Sequence, residues 1–318
     1  MAANVRWVVK DGDGATVGEI ALRAGGGERA VEDGRVFVGR RRATHAGEPV
    51  RVGDEVTVAS RTSSSGGDVR VLLDRDDIVA VVKVAGIPTI PDHAGTEHSL
   101  LAQTARTLGV ASSDLHATSR LDRDVSGVVV FARSKRAAER LARARAEGVY
   151  VRRYVALAMA SSSTLRDDDS KGTWNLPIGR AKDARHRAVN GKDAVDARTR
   201  YAVIARATGP GGAAQSASLL ALAPETGRTH QIRVHSAHAG APLLGDRTYG
   251  GPTQITLATG RVVALARICL HCARVTIPMA RAHVRATLDA PVPEDLAAVW
   301  TALGGDAASW ADAIAATI

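Results

Sequence analysis

Aromatic residues are scarce in this chain: they make up 3% of 318 residues, with two Phe, four Tyr and four Trp. Ring stacking therefore cannot carry the core, which must rest on Val, Leu, Ile and Ala within a hydrophobic fraction of 45%. Cysteine is scarcer still, and Cys269 and Cys272 are too few for a disulfide framework. No run of about 20 apolar residues offers a membrane span, and no charged-then-apolar leader opens the N-terminus. With those classes set aside, the expectation is a soluble, cytoplasmic protein that works as a monomer. Positive charge is missing from the last thirty residues, Asp289 to Ile318, which have acidic residues and neither Lys nor Arg.

The net charge of +9 and the pI near 10.1 therefore belong to the upstream part. A basic surface attracts phosphate backbones and releases their counterions, so the expected partner is RNA or another polyanion, met by one face of the molecule. The length favours a main domain with a smaller one.

Residues 1–60 read as a small RNA-binding-like domain. Gly34 to Val58 (GRVFVGRRRATHAGEPVRVGDEVTV) alternates short apolar runs with Gly and Pro, the pattern of short strands and turns. Residues 61–70, with the Ser- and Gly-rich stretch Arg61 to Asp68, read as a linker. The catalytic domain follows over 71–290, and 291–318 form a helical tail. In the catalytic domain, apolar runs predict strands at Ile78 to Val84, Gly127 to Ala132, Tyr150 to Ala158, Ala197 to Ala207, Ala217 to Ala223 and Ile268 to Ile277. Helical spacing covers Ser99 to Leu108, a helix capped by Ser134 and ending at Gly148, His230 to Ala239, and two terminal helices from Glu294 and Ala307. Strands predominate and helices do not alternate with them regularly. The expected fold class is α+β, with a mixed, mainly antiparallel sheet.

Two segments carry the chemistry. SRLDRDVSG (Ser119 to Gly127) puts Asp122 between two arginines in a turn-forming stretch before an apolar strand. A carboxylate held there by guanidinium groups stays ionised, which suits a nucleophile or an electrostatic stabiliser. Alone, such a loop is more often a salt-bridged surface turn. ETGRTHQIRVH (Glu225 to His235) adds Arg228, His230, Gln231 and Arg233 around the single apolar Ile232. So dense a set of hydrogen-bonding groups is costly to bury without partners, and is expected to face an anion or a substrate.

Both segments resemble sequence blocks of the RluA-type RNA pseudouridine synthases. Similar blocks recur in the same order at Lys83 to Pro91 (KVAGIPTIP), Arg152 to Ala158 (RRYVALA), Leu176 to Tyr201, Pro224 to Gly251 and Arg267 to Pro278. The likeness spans roughly Asp77 to Pro278. It implies the pseudouridine synthase fold and an isomerase that converts uridine to pseudouridine in ribosomal or transfer RNA by base flipping, without a cofactor. It also implies that Asp122 acts at the ribose, Tyr154 stacks on the flipped base, Arg233 pairs with Asp122, and Arg120 enters the vacated position in the RNA stack. Arg228, His230 and Gln231 join this substrate-binding set. Ser119 departs from the family, which commonly has His there, and this bears on substrate positioning rather than on the attacking group. Gly34 to Val58 also resembles the second half of the alpha-L RNA-binding motif. The helical first half matches poorly, because Gly25, Gly26, Gly27 and Gly34 interrupt it.

Two rival readings remain open. A non-catalytic RNA-binding or ribosome-assembly protein would have no need of Asp122, Tyr154 and Arg233 together. A metal-dependent hydrolase would need a ligand set, but Cys269 and Cys272 lie three apart on a strand and point to opposite faces. No metal is expected.

Overall fold

The computed structural model describes residues 5–24, 30–31, 35–39, 41–58, 69–91, 98–159, 171–183, 186–208, 216–256, 262–281 and 283–318. Gly25 to Gly27, Gly34, Arg40, the Arg61 to Asp68 stretch, most of the polar loop after Ser161 and the loop between the Ala197 and Ala217 strands lie outside these residues. The chain divides into two compact units, Met1–Val69 with Ile90–Ser112, and Arg70–Thr89 with Ser113–Ile318.

In the first unit, β1 (Val5–Val8), β2 (Val36–Val38), β3 (Arg41–Arg42) and β4 (Glu55–Val58) form an antiparallel sheet in the order β1-β4-β2-β3. Helix α1 (Val17–Arg23) buries Val17, Ile20 and Ala21 in a core with Val36, Val56 and Val58. This helix, not expected from the sequence, lies before Gly25 and has its own start signal. Thr16 accepts from the Glu19 amide, and the Glu19 carboxylate accepts from the Thr16 amide, satisfying two otherwise orphaned donors. Helix α2 (Leu100–Leu108) starts at the Ser99 cap and ends at Gly109 in the left-handed conformation.

The second unit is built on a ten-stranded sheet. Its strands are β5 (Val71–Arg75), β6 (Ile78–Lys83), β7 (His116–Ala117), β8 (Ser126–Ala132), β9 (Val151–Met159), β10 (Lys171–Asn175), β14 (Arg198–Thr208), β15 (Ser216–Pro224), β18 (Leu270–Pro278) and β19 (Arg285–Asp289). The main path runs β10-β14-β15-β9-β18-β8-β6-β5, with β19 on β18 and β7 on β8. Every pairing is antiparallel except β18 with β8. The fold is thus α+β with a mixed, mostly antiparallel sheet. Short strands β11 (Ile178–Arg180), β12 (Arg187–Val189) and β13 (Lys192–Val195) make a separate sheet, and β16 (Gln254–Thr256) pairs with β17 (Val262–Ala264). These strands are largely exposed or half-buried and lack the apolar runs that reveal the others.

Strand β8 is buried throughout, which explains why Val128 to Phe131 reads as a continuous apolar run and not as an alternation. At its start, Gly127 has φ 127°, and a methyl group there would collide with the Cys272 backbone of the parallel neighbour β18. A side chain at this position would push apart the two strands beneath the Asp122 loop. Helix α3 (Lys135–Ala146), capped by Ser134, connects β8 to β9. Helices α5 (Glu294–Ala302) and α6 (Ser309–Ala315) place Leu296, Trp300 and Trp310 in a core with Leu157 and Leu219. Among the described residues no helix is long and apolar enough to cross a membrane.

Candidate active site

Asp122 lies in the turn between β7 and β8, and buried polar groups fix the backbone of that turn. Thr89 Oγ1 accepts the Leu121 amide at 3.0 Å and donates to the Leu121 carbonyl at 2.8 Å. Beneath it, Lys83 at the end of β6 has no exposed surface, and its Nζ donates toward four carbonyls: Val84 and Asp122 at 3.1 Å, Arg123 at 2.8 Å and Val125 at 2.6 Å. Burial drives the Lys83 ammonium down to about 7, against the opposing charges of Asp124 and Asp122.

This lysine has a consequence for stability. Its folded value lies below the ordinary 10.5, so between these limits the unfolded chain holds the proton more strongly and stability rises with pH. Thiols of the unfolded chain begin to titrate at about 8.5, so the window to measure is about pH 7 to 8. We expect the denaturant midpoint of the wild type to rise across that window and that of Lys83→Met to lack the rise. We also expect turnover of the variant to fall about 10²-fold as the turn loses its shared donor. Parallel pH profiles with full turnover would refute this role.

The second segment forms the turn before and the first part of α4 (Gln231–His238). The helix starts one residue later than its spacing predicts, and His230 occupies its N-cap with a left-handed backbone, φ 57°. Arg233 projects from the first turn. Its Nη1 donates to Asp122 Oδ2 at 2.9 Å, while Nε and Nη2 make a two-pronged pair with Asp246 at 2.7 and 2.8 Å. The guanidinium stacks 5.0 Å from the Tyr249 ring centre. Burial opposes the positive charge on Arg233, but Asp246 and Asp122 outweigh burial and push its pKa up. Asp246 is nearly inaccessible, whereas the Asp122 side chain keeps 29% of its surface open. One arginine thus joins a sealed carboxylate to an open one. His230 completes the group, with Nε2 3.8 Å from Asp122 Oδ2 and Nδ1 2.7 Å from the Tyr249 hydroxyl.

The other expected site residues divide. Gln231 is buried and fully engaged: its Oε1 accepts from Thr226 Oγ1 and the Arg228 amide, and its Nε2 donates to the Arg198 carbonyl and Thr199 Oγ1. It locks the turn before α4 to β14 instead of facing outward, because the buried backbone at this junction supplies the partners that the sequence alone does not show. Arg228 is exposed, with Nε on the Asp196 carbonyl at 2.9 Å. Arg120 is exposed on the Asp122 loop. Tyr154 is buried in β9 opposite Cys272 of β18, and burial pushes its pKa up. His235 is a structural residue, held by Thr199 and the Leu176 carbonyl at 2.9 Å each. Among the described residues no group of His, Cys, Asp and Glu could hold a metal ion.

An open carboxylate on a rigid turn, held by a buried arginine, coincides with a family likeness. Residues 77–238, which contain both segments, match the model of the RNA pseudouridylate synthase family. The chain belongs to this family. The uncharacterized RNA pseudouridine synthase YhcT of Bacillus subtilis (strain 168) is 32% identical over 78% of this chain and 78% of its own length. The ribosomal large subunit pseudouridine synthase D of Xanthomonas campestris pv. campestris is 31% identical, covering 84% of this chain and 78% of the relative. A solved structure, human RNA pseudouridylate synthase domain containing 1, shares the fold, with TM-score 0.58 and 24% identity over 80% of this chain and 97% of that one. As a pseudouridine synthase, the chain is an isomerase acting on RNA. Asp246 and Tyr249 also belong to this group, through Arg233 and His230, although the sequence motifs did not single them out. The signal for Asp246 was its place in a tight Gly-flanked turn, Gly245 to Gly251, where a buried acid needs a cation.

Proposed function

We propose that this synthase modifies uridine in ribosomal RNA, with Asp122 as the group that acts at the ribose of a flipped nucleotide. The observation that carries this is the 2.9 Å contact of Asp122 with Arg233, made by a carboxylate that remains open to the outside. The arginine already has Asp246 as a buried partner, so it orients Asp122 without needing it for neutralisation. Arg120, exposed two residues before, fills the space that the extruded base leaves, because a planar guanidinium can stack and hydrogen-bond there. Tyr154 supplies an aromatic wall for the base, and Arg228 a phosphate contact. Gln231 acts from behind, by holding the turn that carries Arg228 and His230.

The names of the relatives favour ribosomal over transfer RNA, since one is named for the large ribosomal subunit. Residues 1–60 form an RNA-binding domain of the alpha-L kind and the catalytic domain runs from 71 to 290. The protein acts as a cytoplasmic monomer without a cofactor. Conversion of uridine to its C-glycoside releases the hydrogen at C5, so RNA tritiated at uridine C5 is a direct probe. The chain should release tritium from large-subunit ribosomal RNA transcripts, and Arg51→Glu in the first unit should raise the RNA concentration needed for half-maximal release. Release from transfer RNA alone would overturn the ribosomal assignment, and an unchanged concentration dependence would count against RNA binding by that unit.

A further inference from the structure

The roles above leave His230 unused. Its φ of 57° is the left-handed region, where a non-glycine residue is strained. The side chain does not offset this by capping α4, since it makes no cap hydrogen bond. Instead the conformation holds the imidazole between Tyr249 and Asp122, with one nitrogen in a 2.7 Å hydrogen bond and the other 3.8 Å from the carboxylate. That second distance is too long for a hydrogen bond, so Nε2 is not committed to Asp122.

We propose that His230 accepts the C5 proton of the target uridine, with Tyr249 as the positioning residue that sets its tautomer; this rests on the reading of Asp122 as the group acting at the ribose. The Tyr249 oxygen accepts the Arg187 amide at 3.0 Å and has a second lone pair for His230 Nδ1–H. In that tautomer Nε2 carries a lone pair beside Asp122, where the sugar and the rotated base must lie.

The step balances. The N1–C1′ bond breaks with its electron pair left on the uracil, and the rotated ring then uses a pair to form C5–C1′. Carbon C5 is now tetrahedral and still holds its hydrogen. Nε2 takes that proton, the freed pair restores the C5–C6 double bond, and the displaced pair on N1 binds a proton from water. His230 returns its proton to solvent, so the reaction remains an isomerisation. Tyr154 is poorly suited to this task, because its side chain is buried and burial disfavours loss of its proton.

The groups facing the imidazole are Asp122, Arg233, Asp246, Arg187 and Tyr249, and His186 stacks edge-on to Tyr249 at 6.4 Å. Burial lowers the His230 pKa below its ordinary 6.5; Asp122 opposes this and Arg233 adds to it. The ring is therefore neutral and able to accept a proton at pH 7, and wild-type turnover should fall, with a C5 isotope effect emerging, once the pH is far enough below that lowered value for proton removal to become limiting.

The test uses the intact chain and total RNA from cells that lack it, labelled with uridine carrying hydrogen or deuterium at C5. Asparagine tolerates the left-handed backbone but cannot take the proton. His230→Asn should slow pseudouridine formation about 10²-fold or more, and a primary C5 deuterium isotope effect absent from the wild type should appear. Tyr249→Phe should show a smaller loss with the same isotope effect. His230→Gly, whose backbone accepts this φ freely, should regain turnover when imidazole is added. A slowed His230→Asn without an isotope effect would reduce His230 to a positioning residue and overturn the proposal, as would unchanged turnover or a His230→Gly that imidazole does not rescue. A wild-type chain that forms no pseudouridine on this RNA overturns the reading of the site itself, an outcome distinct from an active wild type with isotope-insensitive variants.

Discussion

Asp122→Asn is expected to remain folded and to bind RNA, while its pseudouridine formation falls by at least about 10⁴-fold. The substitution changes one oxygen to an amide and keeps the shape of the side chain. Its amide oxygen can still accept from Arg233 Nη1, and Arg233 keeps both bonds to Asp246. The Asp122 carboxylate is 29% exposed, so its loss should shift stability by no more than about 1 kcal/mol. Binding of RNA should hold or tighten, since a negative charge that repels phosphates is removed. What disappears is the charge that either attacks C1′ or removes a proton from the ribose, and an amide does neither. Single-turnover assays, an RNA binding curve and a melting curve on the same preparation separate these effects. Turnover close to wild type would remove Asp122 from the chemistry.

Much of this arrangement could be read before any coordinates, for identifiable reasons. Strands β6, β8, β9, β15 and β18 are buried on most positions, so their sequences are continuous apolar runs that stand out whatever their neighbours. Ser99 and Ser134 mark helix starts because a hydroxyl satisfies an orphaned amide. The edges of the fold were hidden. Strand β13 is exposed at every position, and nothing in Lys192 to Val195 distinguishes it from a loop. In the site, the meeting of Asp122 with Arg233 was legible because both stand in motifs that resemble blocks of one family, and the resemblance implied the pair. The inward turn of Gln231 was not, since the two partners of its Nε2 come from Arg198 and Thr199, more than thirty residues earlier. Lys83 illustrates the limit best. Lysine is almost never fully buried, and only the cluster of four carbonyls, three from the Asp122 turn, explains why this one is.

Arg233→Met separates the two tasks of the arginine. Asp246 has only 1% of its side chain exposed, and apart from Arg233 it is held by the amides of Thr248 and Tyr249. Removing the cation strands a buried charge, which costs about 3–5 kcal/mol and, for a unit of this size, lowers the melting temperature by about 10 °C. The loss of activity in this variant alone would therefore be ambiguous. Adding Asp246→Asn resolves it: a neutral amide can still accept from Thr248 and Tyr249 without needing a cation, so the double variant should recover most of the lost stability. Turnover should remain depressed by about 10²-fold or more, because Asp122 still lacks the donor that fixes its orientation. The double variant and Asp122→Asn then fail for different reasons, the first with a misaligned carboxylate and the second with none. If the double variant regained wild-type turnover along with its stability, Arg233 would serve only to neutralise Asp246, and the orientation of Asp122 would rest on the Lys83 and Thr89 contacts of its own turn.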